Sequence, residues 1–371
     1  MKRLNFISLF LFLISVCSSG QSSEFDNIRF SVFLIGDAGE HKPHRDAVLE
    51  LALAQMNKVG EHTLVAFLGD NIYPVGLPVK EDEDRKYMES KLTPQLDIIK
   101  ESPGLGFIIP GNHDWAKGKR DGSQNIREQE IFTANYIDNK DAFFPKNGCP
   151  GPVLKKLDDN RIFIMIDSQW LLSKEEYRPS DGCRYQGEEE VMKAVDSLVV
   201  NNLDKKVIFA AHHPVYTYGN HGGIFSFKQH IFPLTDIKNG LFIPLPIIGS
   251  IYPLSRKWFG NIQDATNKRY RIYMDRMVSS FEKHPALVHV SGHEHALEHM
   301  TKNGVEYIVS GSGSKTEFVK KKGLARYAAS ENGFARIDYL NNDDVIMSFW
   351  VVNETNPSGF KAYEVKLFTN D

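Results

Sequence analysis

The stretch "FLGDNIYPVG", Phe67 to Gly76, decides how the rest of the sequence is read. An apolar run ends in Gly-Asp, Asn follows, and a tyrosine stands three residues after the aspartate. Asp70 alone reads as a turn residue. The same design recurs four more times. "IRFSVFLIGD" stops at Asp37 and "LGFIIPGNHD" leads to Asn112 and His113. "KVIFAAHH" ends at His212 and His213, and "ALVHVSGHEH" leads to His293 and His295. Each is a short apolar run with β-branched residues, which reads as a buried strand. Each then presents a side chain able to bind a metal. Open α/β sheets place their sites at strand C-termini of this kind.

The segments between these runs read differently. "RDAVLELALAQMNK" (Arg45 to Lys58) has apolar residues at helical spacing. "EEEVMKAVDSLVVNN" (Glu188 to Asn202) opens with three acids, which suit the positive end of a helix dipole. "GFARIDYL" and "VIMSFWVV" flank "NNDD" and read as a hairpin. The mixture predicts an α/β fold of sheets covered by helices. From Gly222 to about Ile272 the order breaks. This stretch is apolar and interrupted by prolines, with "LFIPLPIIGSIYPL" (Leu241 to Leu254) at its centre. Proline argues there against a regular helix or central strand. The run is too short and broken to span a bilayer. It reads as a long insertion at 222–272 in a single domain covering residues 28–371.

The chain has 371 residues, a quarter of them charged, and a net charge of -3. That is a globular balance with no strong pull toward nucleic acid. At the N-terminus, Lys2 and Arg3 precede the apolar run Leu4 to Val16, and "CSSGQ" follows. This is the pattern of a signal peptide over residues 1–20, cut after Gly20. A lipoprotein beginning at Cys17 is the alternative, and a membrane anchor needs a longer apolar run. The expectation is an exported protein, whether periplasmic, secreted or outer-membrane associated. In an oxidising compartment Cys149 and Cys183 are expected to pair, two unpaired thiols being the alternative.

The candidate ligands are Asp37, Asp70, Tyr73, Asn112, His212, His293 and His295. Singly, each has an ordinary explanation as a turn or rim residue. Jointly, imidazole, carboxylate and amide oxygen bind transition metals such as Zn, Fe or Mn. One carboxylate can bridge two such ions, and a pair of ions clamps the attacking and leaving oxygens of a phosphoryl group. No nucleophilic Ser or Cys motif, P-loop or dinucleotide fingerprint competes.

In this order, "GDAG", "GDNIY", "GNHD", "AHHP" and "GHEH" resemble the signature of the calcineurin-like metallophosphoesterases. The Asp-x-x-Tyr spacing resembles the purple acid phosphatases, especially the small tartrate-resistant type, to which "HHPVYTYGNHG" is also similar. The resemblance runs from about Ile28 to Val352, interrupted by the insertion. It implies two packed mixed β-sheets with helices on both outer faces, a four-layer α/β/β/α sandwich. It also implies that Asp37, Tyr73 and His295 hold Fe(III), and that Asn112, His212 and His293 hold a divalent Fe, Zn or Mn. Asp70 would bridge the two ions. His113 and His221 would face the substrate phosphate, with His113 protonating the leaving group and Asp114 supporting His113.

The activity so implied is acid-phosphatase-like hydrolysis of phosphate monoesters by in-line attack of a metal-bound hydroxide. Phosphodiester or nucleotide hydrolysis on the same metals is the alternative among hydrolases. A module docking a membrane surface or a protein partner through the insertion is the alternative outside them. Tyr73 reads as a phenolate, a hard anion suited to trivalent iron, the alternative being a ring packed on its loop. His213 reads as structural, because successive side chains of an extended segment alternate faces. His41, His44 and His299 read as loop or surface residues, His44 and His299 also as pocket candidates. "SGSGS" (Ser310 to Ser314) is either a source of backbone N–H groups near the site or a plain turn. Ala38 and Glu294 depart from the family pattern but are not ligands by position.

Overall fold

The computed structural model describes residues 24–40, 46–236, 240–245 and 247–368. The expected leader at residues 1–20, His41 and His44 lie outside the described residues.

The chain builds half of one sheet, then a second sheet, then returns to complete the first. The first half is β1 (Ile28–Ile35), β2 (Thr63–Leu68) and β3 (Leu105–Ile109), paired in parallel. The second sheet takes β4 (Val153–Lys156), β5 (Arg161–Met165), β6 (Lys206–Ala210), β7 (Leu287–Ser291), β8 (Leu297–Lys302), β9 (Val305–Ser310) and β10 (Ala325–Ala329). Its spatial order is β10-β8-β9-β7-β6-β5-β4. The chain then adds β11 (Asn332–Leu340), β12 (Val345–Asn353) and β13 (Asn356–Leu367), so the first sheet reads β13-β12-β11-β1-β2-β3. The expected hairpin is the antiparallel β11–β12 pair.

Alternation along the strands explains the layering. In β1, Val32 and Leu34 join Phe163, Ile208, Val290 and Ile337 in a core between the sheets. Their neighbours Phe33 and Ile35 face the other way and pack with residues of the helices. Because side chains alternate with period two, each central strand supplies two cores at once. Helices α1 (Ala47–Val59), α2 (Arg85–Glu101) and α3 (Gly122–Ile137) follow the first strands. Helices α4 (Ser168–Leu172), α5 (Glu188–Val200), α6 (Phe227–Ile231), α7 (Ile248–Trp258) and α8 (Lys268–Phe281) come later in the chain. In α1 the buried residues Val48, Leu49, Ala52, Leu53 and Met56 form one stripe. Its first N–H groups are satisfied by the Asp46 carboxylate, a cap contributing about 1 kcal/mol. The result is two mixed sheets flanked by helices, the expected sandwich.

One departure lies in the insertion. Proline was expected to exclude a regular helix, yet α7 runs through Pro253. Pro253 costs the helix the N–H bond to the Gly249 carbonyl. Close packing offsets this loss: a Cβ on Gly249 would sit 2.6 Å from the His230 carbonyl oxygen, so α7 lies directly on α6.

The parallel strands of both sheets point their C-terminal ends at one edge, and there the sheets are joined. Gly36 N donates to Ser310 O at 2.8 Å, and Gly313 N donates to Gly36 O at 3.0 Å. Gly36 has no room for a side chain, since a Cβ would fall 2.9 Å from Gly292 Cα. Cys149 and Cys183 form the expected disulfide, across 34 residues. Among the described residues no helix is long and apolar enough to cross a membrane.

Candidate metal centre

Five strand ends deliver the candidate ligands to one place. Asp37 follows β1, Asp70 follows β2, Asn112 follows β3, His212 follows β6, and His293 and His295 follow β7. Asp37, Asp70 and His293 have φ of 57°, 54° and 70°, the left-handed region that non-glycine residues avoid. Each such residue costs on the order of 1 kcal/mol, and such strain gathers at functional sites. Gly111 lets Asp70 approach β3, because a Cβ there would lie 2.3 Å from Asp70 Oδ1.

The side chains form two groups that share Asp70. In the first, Tyr73 Oη lies 2.8 Å from Asp37 Oδ1, 3.0 Å from Asp70 Oδ2 and 3.2 Å from His295 Nε2. In the second, Asn112 Oδ1 lies 3.0 Å from His212 Nε2 and 2.9 Å from His293 Nδ1, and His212 Nε2 is 3.4 Å from Asp70 Oδ1. All seven residues are buried.

The outer nitrogen of each imidazole fixes what the inner one offers. His212 Nδ1 faces Leu68 O at 2.8 Å, His293 Nε2 faces Gln263 O at 2.7 Å, and His295 Nδ1 faces Glu317 Oε1 at 2.9 Å. Carbonyl and carboxylate oxygens only accept, so these outer nitrogens carry the protons. In the neutral rings the inner nitrogens then aim lone pairs at Asn112, Asp70 and Asp37. Acceptors facing acceptors are the arrangement a cation resolves, and an outer carboxylate or carbonyl behind each histidine is the usual support of a metal ligand. The donor set therefore fits two cations.

The electrostatics agree. Burial, then the carboxylates of Asp37 and Asp70, push the Tyr73 pKa well above its ordinary value, so a phenolate there requires a cation. Burial opposes charging of His295, but Asp37 and Glu317 outweigh it and carry its pKa up to about 10. A proton thus does at His295 what a metal would do. Burial and the neighbouring histidines push His293 well below its ordinary value, leaving a neutral ring.

The remaining expectations divide. His113 donates its backbone N–H to Asp70 Oδ1, its Nδ1 is held by Pro74 O at 2.7 Å, and its Nε2 lies 3.9 Å from Asp70 Oδ2. His221 stands over the second group, its ring centroid 4.0 Å from that of His293. Asp114, expected to support His113, does something else. Its carboxylate accepts from Gly111 N, Asn71 N, Asn71 Nδ2 and Ile72 N, tying the Asp70–Tyr73 loop to the β3 loop. The short side chain of the residue after His113 points back into those backbone donors. His213, read as structural, has Ser168 Oγ and Gln263 Oε1 at its two ring nitrogens, and with His212 and His293 it also forms a group whose ligand atoms lie within 4.8 Å of one another. His299 is no pocket residue but is buried between Tyr363 and Glu306. In "SGSGS", the N–H groups of Gly311 and Gly313 bond to Ala296 O and Gly36 O, so they brace the sheet junction.

Several residues at the site carry no local signal in the sequence. Glu294 accepts from Asn220 N and His221 N and holds the His221 loop. Lys315 places its ammonium 3.5 Å from the Tyr73 ring centroid. The insertion supplies Gln263, behind His293 and His213, and Asp264, whose Oδ1 lies 3.2 Å from His221 Nδ1. Arg256 of α7 binds both oxygens of Asp264. The basic stretch "SRKW" signals only a cationic surface, so nothing short of the fold finds this pair.

Residues 30–221, more than half of the chain, match the profile of the calcineurin-like phosphoesterases. The chain belongs to that family, and its domain is that of a metal-dependent phosphoester hydrolase, a class that works with two metal ions. No curated protein matches this sequence. Among solved structures it is similar to GAP50, the anchor in the inner membrane complex of Plasmodium, with 15% identity, a TM-score of 0.54, and 91% of this chain and 88% of that one covered. It is similar to PhoD at 11% identity and a TM-score of 0.51, covering 91% and 70% of the two chains. Purple acid phosphatase PPD1 from yellow lupin seeds aligns at 12% identity and a TM-score of 0.48, covering 91% and 53%. At such identities the likeness to GAP50 and PhoD speaks for the fold alone.

Proposed function

We propose that this protein is an exported phosphate monoesterase of the purple acid phosphatase kind, holding a trivalent iron beside a divalent ion. The observation that carries the reading is Tyr73, whose hydroxyl lies within 3.2 Å of Asp37, Asp70 and His295. A tyrosine in a ligand group is suited to a hard trivalent cation. Asp37, Tyr73 and His295 would hold the iron, Asn112, His212 and His293 the second ion, and Asp70 both. When bound, the two ions neutralise the phosphoryl oxygens and make a deprotonated water available near neutral pH.

The protein's own groups complete the chemistry. Pro74 O accepts a hydrogen bond from His113 Nδ1 and leaves Nε2 at the mouth of the site. Protonated there, Nε2 donates to the leaving oxygen. His221 is braced on the opposite side by Asp264 and by the Glu294 bond to its backbone, and it orients the phosphate. Tyr73 packs against the ring of His113, and His293 and Gln263 against that of His221, which fixes both imidazoles while leaving them open toward substrate.

The test is metal content and the visible spectrum of the purified protein beside Tyr73→Phe, with turnover of a phosphate monoester and a diester. A charge-transfer band lost in the variant, two metals per chain and preference for the monoester are expected. Two metals with no such band and faster diester turnover would replace this reading with a diesterase.

A further inference from the structure

Helix α7 is turned inside out. Its buried side carries Gly249 and Pro253. Its outward side carries Ile248, Ile251, Tyr252 and Trp258, with Phe259 just beyond its end, each 58–76% exposed. These positions are spaced i, i+3, i+4, i+10 and i+11, one stripe along a helix. On an ordinary surface helix that stripe faces the core. Ile247 at its start, and Phe227 and Phe242 from α6 and the following loop, are exposed as well. Contiguous apolar surface of this extent marks an interaction face.

The charge of the same segment says what the face meets. Residues 222–272 hold seven Lys or Arg against two Asp, in a chain whose net charge is -3. One of the two, Asp264, is buried and bound to Arg256. Lys228 is exposed beside the patch, its ammonium 5.2 Å from the Phe242 ring centroid, and Lys257 is exposed on the side of α7 turned away from the stripe. A second copy of this chain, packed through the same face, would set lysines against lysines. An apolar stripe with Trp and Tyr, on a segment with a net positive charge and with Lys228 beside it, matches the headgroup and acyl boundary of an anionic membrane.

We propose that the outward face of α7, with Phe227 and Phe242 beside it, docks on the surface of an anionic lipid bilayer. The docking stands apart from the phosphatase reading. Only its consequence rests on that reading: Arg256, on the inner side of the same helix, lies 3.2 Å from His221, so docking would seat the catalytic wall at the lipid surface.

The experiment is co-sedimentation of the full chain with vesicles of phosphatidylcholine alone or mixed with phosphatidylserine, with tryptophan emission recorded in parallel. Wild type is expected to bind the anionic vesicles, less at high salt, with a blue shift. Ile251→Asp should lower that affinity by about tenfold or more, and the surface substitution Lys228→Glu should lower it without changing the apolar stripe of α7. Trp258→Phe should keep the binding and lose the shift, since Trp115 and Trp170 are buried and Trp350 is half-buried on β12, outside the docking segment. All variants keep the same N-terminus, so the apolar run at Leu4 to Val16 contributes equally to each. Unchanged turnover of a soluble ester by Ile251→Asp shows that it has folded. Equal binding by wild type and Ile251→Asp overturns the proposal. So does a wild-type dimer that Ile251→Asp dissociates, with no vesicle binding by either. Absence of esterase activity in wild type would strike the phosphatase reading and leave the vesicle result standing.

Discussion

Replacing Asp114 by Asn removes a negative oxygen from a buried carboxylate that accepts from four N–H groups. The amide keeps one acceptor oxygen. If that oxygen stays on Gly111 N and Asn71 Nδ2, the new NH2 faces Ile72 N and Asn71 N, donor against donor. Ile72 N is left unsatisfied, and Asn71 N, which reaches both oxygens, keeps only one of them beside the new NH2; together this costs about 2–3 kcal/mol. Part returns, because burial and the nearby Asp70 push the Asp114 pKa well up and make its charge costly. A net loss of about 2 kcal/mol lowers the melting temperature of a large domain by roughly 4 °C. Asn71 and Ile72 lie between Asp70 and Tyr73, so the same change loosens two ligands and lowers metal affinity by on the order of tenfold. The assay is a melting scan of metal-free protein with a metal titration of each form. Unchanged melting and metal affinity, with a shifted pH profile of ester hydrolysis, would refute the reasoning and return Asp114 to the ring of His113.

Arg256→Met leaves the buried Asp264 carboxylate without its guanidinium and should cost about 3 kcal/mol at neutral pH, read by denaturant unfolding. Burial would raise the Asp264 pKa, but His221 and Arg256 hold it below the ordinary 3.8. A depressed carboxylate stabilises the fold above its unfolded pKa and loses that contribution as pH falls through its folded pKa. The gap between wild type and variant should therefore narrow below about pH 4, and a gap that widens there contradicts the pairing. Cys183→Ser opens a disulfide spanning 34 residues and should cost about 3–4 kcal/mol, so a loss under about 1 kcal/mol counts against it. Metal binding near pH 8 should release protons from His295 and Tyr73, seen calorimetrically in buffers of different ionisation enthalpy. Tyr73→Phe should release about one fewer, and equal release would remove the phenolate from the site.

The strand-end motifs were legible because each is local. An apolar run that stops at Gly-Asp or at His-His states both a buried strand and what stands at its tip. The spacing of Asp70 and Tyr73 was equally local, as were the stripe of α1 and the hairpin of β11 and β12. Asp114 misled for the opposite reason: adjacency to His113 says nothing about which way a short side chain turns, and backbone donors from 43 residues earlier in the chain claimed it. The support behind each histidine came from afar, as with Glu317 behind His295 and Gln263 behind His293.

The insertion divides the same way. Its apolar, basic and proline-rich character stands in the sequence. That its inner residues Gln263, Asp264 and Arg256 wall the metal centre, and that α7 runs through Pro253 with its apolar stripe outward, was decided by packing on α6 and by the buried charge pair. Local pattern fixes which side chains a strand or helix can present. Only the close approach of segments distant in the chain decides which of them meet, because pairing and burial are properties of a position in the fold.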